Sequence, residues 1–536
     1  MAETMQELIT RRADQQTPAI IHATDDGRIV SVTWAEYVSR AEQHAAVVLE
    51  RVDIAKPVHV GALLGNSPEM LVALAAAALG GYVLCGINNT RRGAGLITDL
   101  RTADVQILLV DDAHEQLLDN LDLGDVEVIN VDDPQWQEEC AAAPASTLHR
   151  RVEGGDPFMI IFTSGTSGDP KAVLLTHHMA VFAGDNLVGR FSLGESDVLY
   201  LAMPLFHSNG IMAGFAPAVA AGGTMAPARF SASRFLDDIR SYRATYLNYV
   251  GKPLAYVLAT PTRPDDADNP LRVAFGNEAS DRDIAEFSQR FDVQVVDGFG
   301  STENAVIITR EDGTPPGSIG RGLPGVAIYR GDPVTECAPA MFDAAGRLTN
   351  PDDAIGELVN TAGAGFFSGY YNNEKANAER MRGGIYWSGD LAYRDVDGWI
   401  YLAGRTADWM RVDGENLTTA PIERILSRCP QVNRVAVYAV ADPAVGDQIM
   451  AAVVLQDGSD LTPDEFTRFL SEQDDLSPKA WPRYVRVGAE LPTTATNKIL
   501  KRALIADGTT VGSDVLWTRE SRGRSYRAAI SSVRTS

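Results

Sequence analysis

Short apolar runs alternate with longer helix-like runs between residues 57 and 112, and this alternation constrains the fold more than any other feature. The strand-like runs are PVHVGALL, YVLCGIN and VQILLVDD. Between them lie NSPEMLVALAAAALGG and RGAGLITDLRTAD, whose patterns predict helices. Apolar strands that alternate with helices indicate a parallel sheet covered on both faces. We therefore expect an α/β fold.

A glycine-rich segment, FTSGTSGDPK (162–171), follows directly after an apolar strand. Its glycines allow close backbone approach, and its hydroxyl and N–H groups form a concavity suited to phosphate oxygens. Lys171 adds a positive charge. Open α/β sheets bind ligands beyond the carboxyl ends of their strands, so we predict a nucleotide-binding loop here. The pattern differs from G-x-x-x-x-G-K-[ST], because Pro170 precedes the lysine and Ala172 follows it.

The charge balance argues against nucleic acid and anionic membranes as partners. Lys and Arg total 47 against 71 Asp and Glu, which gives a formal net charge of -24. A field of that sign repels polyanions, so any ATP or carboxylate must be held by a local site. The cysteines lie far apart, without metal-ligand spacing, as in a reducing compartment. With no secretory signal recognised at the N-terminus, we expect a cytoplasmic protein.

Residues 198–228 carry no formal charge and need a separate interpretation. Three prolines and the Gly222-Gly223 pair divide the stretch into short pieces. We therefore predict a strand, a loop, a short helix and a second strand inside a core, and no transmembrane segment.

A different order of elements follows GWIYLAGRTADW. Two strand-like apolar runs, NRVAVYAV and QIMAAVVLQ, here precede a predicted helix. In LTPDEFTRFL, Thr462 can cap this helix, Pro463 fits its first position and Glu465 completes a capping box. RYVRV predicts a further strand, and the polar loop LPTTATNKILKR follows it. These elements predict a small, separate α+β domain.

Several further motifs occur in a fixed order along the chain. They are PLFHSNG (204–210), FGNEAS (275–280), DGFGSTEN (297–304), YWSGDLAY (386–393), GRTADWMRVDGEN (404–416) and PTTATNK (492–498). Together with the glycine-rich segment they span nearly the whole chain. The sequence resembles the adenylate-forming enzymes, which include acyl-CoA synthetases. Members of that family join a carboxylic acid to AMP, release pyrophosphate and pass the acyl group to a thiol.

The resemblance implies a large N-terminal adenylation domain and a small mobile C-terminal domain that carries a catalytic lysine. It implies parallel or mixed sheets covered by helices in the first domain. We place the first domain at residues 1–407, the second at 408–510 and a tail without assigned function at 511–536. It also implies the use of ATP, Mg²⁺ and CoA.

By the same resemblance, one set of residues forms the nucleotide site. Residues 164–168 and Lys171 wrap the β- and γ-phosphates, and residues 276–278 and 297–301 form the adenine slot, in which Phe299 stacks on the ring. Asp390 binds the ribose, assisted by Arg405. The predicted ATP- or AMP-binding residues are Thr163, Ser164, Gly165, Thr166, Ser167, Gly168, Lys171, Gly276, Asn277, Glu278, Asp297, Gly298, Phe299, Gly300, Ser301, Thr302, Asp390, Arg405 and Lys498.

The predicted catalytic residues are Lys498, Thr302 and Glu303. Lys498 contacts the carboxylate and the α-phosphate, Thr302 hydrogen-bonds the α-phosphate, and Glu303 holds Mg²⁺, with Thr163 as a second metal ligand. The family usually has glycine before the lysine, where this chain has Asn497, a residue that tolerates the left-handed conformation.

The second half-reaction involves the segment after the adenylation domain. Asp408 matches the hinge about which the small domain turns. Ala407 stands where lysine is usual, so the details of this hinge are open. Gly414 is predicted to line the tunnel for the thiol of CoA. Arg411 either meets a CoA phosphate or is a solvated loop residue.

Three stretches resemble the branch of very-long-chain and bile-acid acyl-CoA synthetases, also described as fatty acid transport proteins. They are YLNYVGKPLAYVLATPTRPDDAD, the run into LRVAFGNEAS, and DWMRVDGENLTTAPIE. Tyr249 and Gly251 then line the acyl pocket with His207 at its neck, although His207 could equally be a core histidine. The resemblance is to actinobacterial ligases of fatty or steroid acids; a long-chain fatty acid leads and a steroid side-chain carboxylate follows.

Two other functions compete with an acyl-CoA synthetase. One is a fatty acyl-AMP ligase that loads a carrier protein; such relatives carry an insertion that is not obvious here. The other is a non-catalytic sensor of acyl-adenylate or ATP, which would not need the full set of charged residues. We expect a small-molecule acid, ATP and CoA as partners, no nucleic acid, and an open assembly state with a homodimer as one option.

Overall fold

The structure is a computed structural model. It describes residues 2–24, 26–144, 150–163, 170–251, 253–311, 313–331, 333–344, 346–405, 409–412, 415–442, 446–493, 499–520 and 523–528.

Helices occur throughout the described part of the chain, and the longest lie in its N-terminal half. Their bounds are α1 (Met5–Thr10), α2 (Trp34–Arg51), α3 (Pro68–Gly80), α4 (Ala94–Thr102), α5 (Pro134–Ala142), α6 (His177–Phe191), α7 (Ser208–Gly210), α8 (Ala216–Ala221), α9 (Phe235–Tyr242), α10 (Pro253–Leu258), α11 (Asp281–Phe291), α12 (Pro351–Ala354), α13 (Glu374–Arg380), α14 (Thr419–Leu426), α15 (Pro463–Ser471) and α16 (Lys501–Asp507). A π-helical turn, Ile211–Phe215, joins α7 to α8.

Strands alternate with these helices at first and later follow one another directly. Their bounds are β1 (Pro18–Ala23), β2 (Ile29–Thr33), β3 (His59–Leu63), β4 (Val83–Gly86), β5 (Ile107–Val110), β6 (Glu127–Asn130), β7 (Pro157–Thr163), β8 (Lys171–Thr176), β9 (Val198–Leu201), β10 (Thr224–Pro227), β11 (Tyr246–Val250), β12 (Val273–Asn277), β13 (Gln294–Gly298), β14 (Ile308–Thr309), β15 (Arg321–Gly322), β16 (Val326–Gly331), β17 (Val334–Glu336), β18 (Gly356–Asn360), β19 (Met381–Arg382), β20 (Ile385–Arg394), β21 (Ile400–Arg405), β22 (Trp409–Val412), β23 (Glu415–Thr418), β24 (Val432–Asp442), β25 (Gly446–Leu455), β26 (Tyr484–Gly488), β27 (Val515–Arg519) and β28 (Tyr526–Ala528).

The chain divides into two compact units. The first unit combines residues 1–305 with 364–379, and the second combines 306–363 with 380–536. The predicted hinge at Asp408 lies outside the described residues, and the domain boundary drawn there stays a prediction.

Two sheets form the first unit. One has the order β13-β12-β11-β9-β10-β1-β2, and all its neighbours are parallel except the edge pair β1–β2. The other has the order β6-β5-β3-β4-β7-β8 and is parallel up to β8, which pairs antiparallel with β7. The predicted α/β architecture of parallel and mixed sheets is confirmed.

Helix α3 shows how the sequence builds the core of the first unit. Ser67 caps its start, Pro68 occupies its first turn, and Gly81 ends it with φ of 68°. Its alanines and leucines are buried around its circumference, as expected of a helix that is apolar on all sides. They pack in the main hydrophobic cluster, which also contains residues of β3, β4 and β7.

The second unit contains antiparallel sheets before its C-terminal part. Its first sheet has the order β17-β16-β18-β20-β19, with β21 paired to β20, and β14 pairs with β15 separately. A further sheet, β23-β22-β25-β26-β27-β28, also holds β24 beside β25. Its helix α15 has the predicted capping box, in which Thr462 and Glu465 each accept a bond from the other's backbone.

The segment 511–536, predicted as a tail, contributes two strands to that sheet. β27 pairs antiparallel with β26, and β28 pairs with β27. Trp517 and Tyr526 are buried in the hydrophobic cluster of the sheet. Their burial explains why aromatic residues occur in an otherwise polar stretch.

Residues 198–228 form the predicted strand, loop, short helix and strand, as β9, α7 with α8, and β10. Within the described ranges, no helix combines the length and the apolar character needed to cross a bilayer.

Candidate active site

The carboxyl ends of neighbouring parallel strands bring several predicted site residues to one edge of the first unit. Gly276 lies opposite Asp297 in the β12–β13 pair, and Asn277 lies opposite Gly298. On the other side of β12, Tyr249 of β11 pairs with Gly276. Because parallel strands end at a common edge, the FGNEAS and DGFGSTEN motifs meet where α/β sheets bind ligands.

A buried carboxylate fixes two of these strand ends to each other. The Tyr249 hydroxyl donates to Asp297 Oδ2 at 3.0 Å, and the backbone N–H of Ala279 donates to the same oxygen at 3.1 Å. Asp297 is 7% exposed and Tyr249 is fully buried. A buried carboxylate needs such donors, so this pair stabilises the edge. The predicted roles of Asp297 at the nucleotide and Tyr249 at the acyl pocket stay predictions.

The glycines of the edge have different surroundings. A Cβ atom added to Gly276 would lie 2.1 Å from the carbonyl oxygen of Tyr249. One added to Gly298 or Gly300 would have its nearest neighbour at 3.8 and 3.5 Å, and one added to Gly251 would meet nothing within 4 Å. Gly276 is therefore required by the packing of adjacent strands, whereas a methyl group at Gly298 or Gly300 would make ordinary contacts and one at Gly251 would meet no described atom.

The remaining residues of the predicted adenine slot lie in the turns after β12 and β13. The Asn277 side-chain amide donates to the carbonyl oxygen of Gly298 at 2.8 Å. Glu278 is exposed and has φ of 67°, in the left-handed region. Phe299 and Ser301 are half-buried, so the Phe299 ring keeps an accessible surface for stacking.

Thr302 is joined to the PLFHSNG segment. Its hydroxyl lies 3.0 Å from the Ser208 hydroxyl, and Thr302 is only 9% exposed. The neighbouring Asn209 side chain donates to the carbonyl oxygen of Tyr249 at 3.2 Å. His207, half-buried, precedes α7. The predicted neck of the acyl pocket therefore lies beside the predicted α-phosphate ligand.

Glu303 and Lys171 contact the same tyrosine. The Tyr370 hydroxyl donates to Glu303 Oε1 at 2.7 Å, and Lys171 Nζ lies 4.9 Å from the centroid of the Tyr370 ring. Thr163, the last residue of β7, lies opposite Lys171 in the β7–β8 pair. The strand pair thus brings the predicted metal ligand Thr163 and the phosphate-binding lysine to the same end.

In the second unit, Asp390 of β20 lies directly opposite Arg405 of β21. The Ser388 hydroxyl accepts from the backbone N–H of Asp390 at 3.0 Å. Gly389, in between, has φ of 78°, and a Cβ there would lie 2.6 Å from the Arg380 guanidinium. The two predicted ribose ligands are therefore paired on neighbouring strands.

Other predicted residues lie outside the described part of the chain. Lys498, Asp408, Gly414 and the phosphate-loop residues 164–168 belong to this group, and only the strand position of Arg411 is described. The ends of the Lys498 segment are described. Thr493 bridges Ile499, and Leu500 N–H donates to the carbonyl oxygen of Pro492 at 2.8 Å.

Sequence reasoning missed Ser208 and Tyr370. Both contact predicted catalytic residues that are distant in sequence, 94 positions for Ser208 and 67 for Tyr370. Ser208 lies within a motif that was already singled out, so its hydroxyl could have been proposed. Tyr370 follows GFFSG, a stretch that gave no sign of facing Glu303.

The family follows from the sequence profiles that match the chain. The AMP-binding enzyme profile matches residues 10–371, and the AMP-binding enzyme C-terminal domain profile matches residues 421–498. The chain belongs to the AMP-binding enzyme family. Enzymes of this family use ATP and CoA, so these two predicted cosubstrates are supported at the level of the family.

This AMP-binding enzyme is similar to one mycobacterial and one rhodococcal protein. It is 52% identical over 487 residues to the medium/long-chain-fatty-acid–CoA ligase FadD17 of Mycobacterium tuberculosis, covering 90% of this chain and 93% of that one. It is 47% identical over 482 residues to the steroid-22-oyl-CoA synthetase of Rhodococcus jostii, covering 88% and 86%. The predicted class, an ATP-dependent acid–thiol ligase of the actinobacterial fatty-acid or steroid-acid type, is confirmed.

Among solved structures, the AMP-binding enzyme resembles ATP-bound MatB from Rhodopseudomonas palustris. The TM-score is 0.79, with 96% of this chain and 100% of that chain covered at 24% identity. The likeness shows that the fold is shared, and it confirms the predicted fold class.

Proposed function

We propose that this AMP-binding enzyme is an AMP-forming acyl-CoA synthetase for a large apolar carboxylic acid. The observation that carries the proposal is the hydrogen bond between Ser208 and Thr302. It joins the segment predicted to guide the acid to the residue predicted to bind the α-phosphate. An acid held beside His207 then has its carboxylate next to the phosphorus that it must attack, which favours reaction by proximity and orientation.

In the first half-reaction, a carboxylate oxygen attacks the α-phosphorus and pyrophosphate leaves. Lys171 and residues 164–168 bind the β- and γ-phosphates, and Thr302 donates to the α-phosphate. Phe299 stacks on the adenine, while Asp390 and Arg405 bind the ribose. These groups neutralise and align charge, which is the main source of catalysis in displacements at phosphorus.

The donor set of Glu303 fits Mg²⁺. Oε1 accepts the hydrogen bond from Tyr370, and among the described residues Oε2 accepts none, so this hard oxygen can bind a cation. Thr163 would supply a hydroxyl oxygen. When bound, Mg²⁺ would supply positive charge that neutralises the phosphates. In the described residues, no group of three His, Cys, Asp or Glu forms a separate metal cage.

Lys498 is proposed to approach the acid and the α-phosphate during adenylation. Its segment is closed by the Thr493–Ile499 bridge and followed by Lys501, whose ammonium lies 2.9 Å from Glu423 and 2.8 Å from the Thr419 hydroxyl. This attachment to α14 restrains the C-terminal end of the segment. In the second half-reaction, a turn about Asp408 brings Arg411 and Gly414 to the thiol of CoA.

The proposed acid is a medium- or long-chain fatty acid or a steroid with a carboxylated side chain. FadD17, the relative named for fatty acids, and the Rhodococcus relative named for a steroid acid are similarly distant from this chain. The apolar residues of 210–228 suit either ligand, since binding pockets are mostly apolar.

The deciding experiment measures pyrophosphate release and CoA thioester formation with ATP and Mg²⁺. The acids run from acetate through octanoate and palmitate to cholanoic and shorter-side-chain steroid acids. We expect a thioester with one of the two apolar classes and none with acetate. Pyrophosphate without thioester would indicate a ligase that loads a carrier protein. Nucleotide binding without either product would indicate a sensor.

The compartment and the assembly state are tested separately. We propose a cytoplasmic location, which fractionation of the native cells tests. The assembly state is open, with a homodimer as one option, and analytical ultracentrifugation decides between a monomer and a homodimer.

A further inference from the structure

We infer that Tyr370 is a positioning residue. Its hydroxyl holds the Glu303 carboxylate, and the face of its buried ring holds the Lys171 ammonium. The inference rests on the proposed function, because it concerns how the same site is prepared for magnesium-bound ATP. The motifs singled out in the sequence do not include this residue.

The first observation is the hydrogen bond to the proposed metal ligand. The Tyr370 hydroxyl donates to Glu303 Oε1 at 2.7 Å, and the residue is 2% exposed. A bond to one carboxylate oxygen fixes the plane of the carboxylate and directs the other oxygen, Oε2. Partners of this kind orient metal-binding carboxylates and tune their affinity.

The second observation concerns the phosphate-binding charge. Lys171 Nζ lies 4.9 Å from the centroid of the Tyr370 ring, within the range of a cation–π interaction. The ring face attracts the ammonium, while the hydroxyl at the ring edge is bonded to Glu303. One side chain thus separates and orients two groups of opposite charge that must both act on the phosphates.

The third observation is that Tyr370 is itself rigidly held. The Asn377 side chain accepts from the Tyr370 N–H at 2.7 Å and donates to the Tyr370 carbonyl at 3.1 Å. Tyr370 also bridges Val173 of β8, the strand that Lys171 opens. The Phe367 ring packs edge-on at 5.0 Å. These contacts lie within the first unit, so the ring and the lysine are carried by one scaffold.

The geometry gives the ring a task that a purely structural tyrosine lacks. If its hydroxyl orients Glu303, its removal weakens the response of the site to Mg²⁺ more than it weakens binding of the nucleotide itself. If its face orients Lys171, removal of the ring weakens nucleotide binding even without the metal. The two functions of the side chain are therefore separable.

The test is calorimetric titration of ATP, with and without Mg²⁺, into the full-length protein and its Tyr370→Phe variant. No acid is added, so the readout is independent of turnover. We expect the variant to bind ATP alone like the wild type but to bind Mg²⁺-ATP about tenfold more weakly, which is the scale for losing a partner of a metal ligand. Tyr370→Leu should weaken both titrations.

Tyr371→Phe is the matched control, because the neighbouring hydroxyl donates to Asp104 at 2.9 Å. It should titrate like the wild type. In a Glu303→Gln background, Tyr370→Phe should have no further effect on the magnesium response, because the carboxylate that it orients is gone. Equal losses with and without Mg²⁺, or the same loss in both backgrounds, would show that Tyr370 acts only through stability.

Failure of the inference can be told apart from failure of the proposed function. A wild-type protein that does not bind Mg²⁺-ATP contradicts the synthetase proposal itself. A wild type that binds it, together with a Tyr370→Phe variant that binds equally well, overturns only the role given to Tyr370.

Discussion

Glycines that are neighbours on one sheet edge differ in what their missing side chains allow. At Gly276 the space that a methyl group would need is filled by the backbone of Tyr249, which cannot move without disturbing β11. At Gly298, a residue of the proposed adenine slot, the added carbon would have its nearest contact at 3.8 Å, an ordinary van der Waals distance. Alanine at Gly276 should therefore impair the stability of the protein, whereas alanine at Gly298 should impair the binding of ATP.

Gly276→Ala is expected to lower the free energy of unfolding by about 1–3 kcal/mol, the usual cost of overpacking, and to separate β11 from β12. Gly298→Ala should change the unfolding free energy by less than about 0.5 kcal/mol, as substitutions without clashes do, while it raises the KM for ATP. Urea denaturation and steady-state kinetics of both variants provide the check. Equal stability of the two proteins would mean that the β11–β12 contact is not as tight as described.

Residue types and motif order were enough to predict the family, but they were not enough to predict contacts between residues distant in sequence. The sequence placed Thr302 and Glu303 in one motif, and in the structure both follow the carboxyl end of β13. It could not predict that Ser208 reaches Thr302 or that Tyr370 reaches Glu303. Those contacts depend on how β9, β13 and the segment before α13 come together, which no local pattern encodes.

Helix α6 begins with a histidine that burial keeps neutral. His177 is fully buried against Phe158, and neither ring nitrogen has a hydrogen-bond partner among the described residues. Burial lowers the pKa of His177 to about 4, with Asp156 opposing and Arg150 reinforcing that shift. The N-terminal end of a helix also disfavours a cation.

The lowered pKa makes the stability of the first unit depend on pH. Well above pH 6.5 both the folded and the unfolded histidine are neutral, and no stability is lost. As the pH falls from about 6.5 toward 4, the unfolded chain binds the proton first, so stability decreases. Between pH 7.5 and 5.5 the loss from His177 should be about 1 kcal/mol. His44, whose pKa burial also lowers to about 4, adds a similar amount.

Thermal unfolding at pH 7.5 and 5.5 measures this effect. His177→Met removes the titrating group and fills the space with a flexible apolar side chain. We expect its melting temperature to fall less on acidification than that of the wild type. The exposed neighbour His178 supplies the control, since His178→Met should behave like the wild type. An unchanged pH dependence in His177→Met would contradict the assignment.

Elements with strong local signals agreed with their sequence patterns. The apolar helix α3, with Ser67 and Gly81 at its ends, and the capping box of α15 are examples, because caps and periodicity act within a few residues. Strands β27 and β28 were not predicted, because they are short, lie at the end of the sheet and are stabilised mainly by burial of Trp517 and Tyr526. Their stability comes from tertiary packing, which a local pattern shows poorly.

At the scale of the whole molecule, the residues proposed to bind the nucleotide are distributed over both units. The residues proposed for the phosphates belong to the first unit, and those proposed for the ribose belong to the second. The net charge of -24 gives no long-range attraction for ATP, so binding must depend on these local groups.

Substitutions at Lys498 and Asp408 should separate the two half-reactions. Lys498→Ala should lower acid-dependent pyrophosphate release by at least about 100-fold, the scale for losing a group that neutralises charge in the transition state. It should largely spare thioester formation from supplied acyl-AMP. Asp408→Pro should do the reverse, because proline fixes φ and stiffens the proposed hinge.

Both variants are assayed for pyrophosphate release from ATP and acid, and for thioester formation from acyl-AMP and CoA. A crossed pattern requires that one residue serve the first step and the other serve the reorientation between steps. Equal losses in both assays for Lys498→Ala would remove its special role in adenylation. Wild-type rates in both assays for Asp408→Pro would mean that the hinge is not at Asp408. Because Ala407 stands where the family usually has lysine, the residues next to Ala407 would then be the next candidates for the hinge.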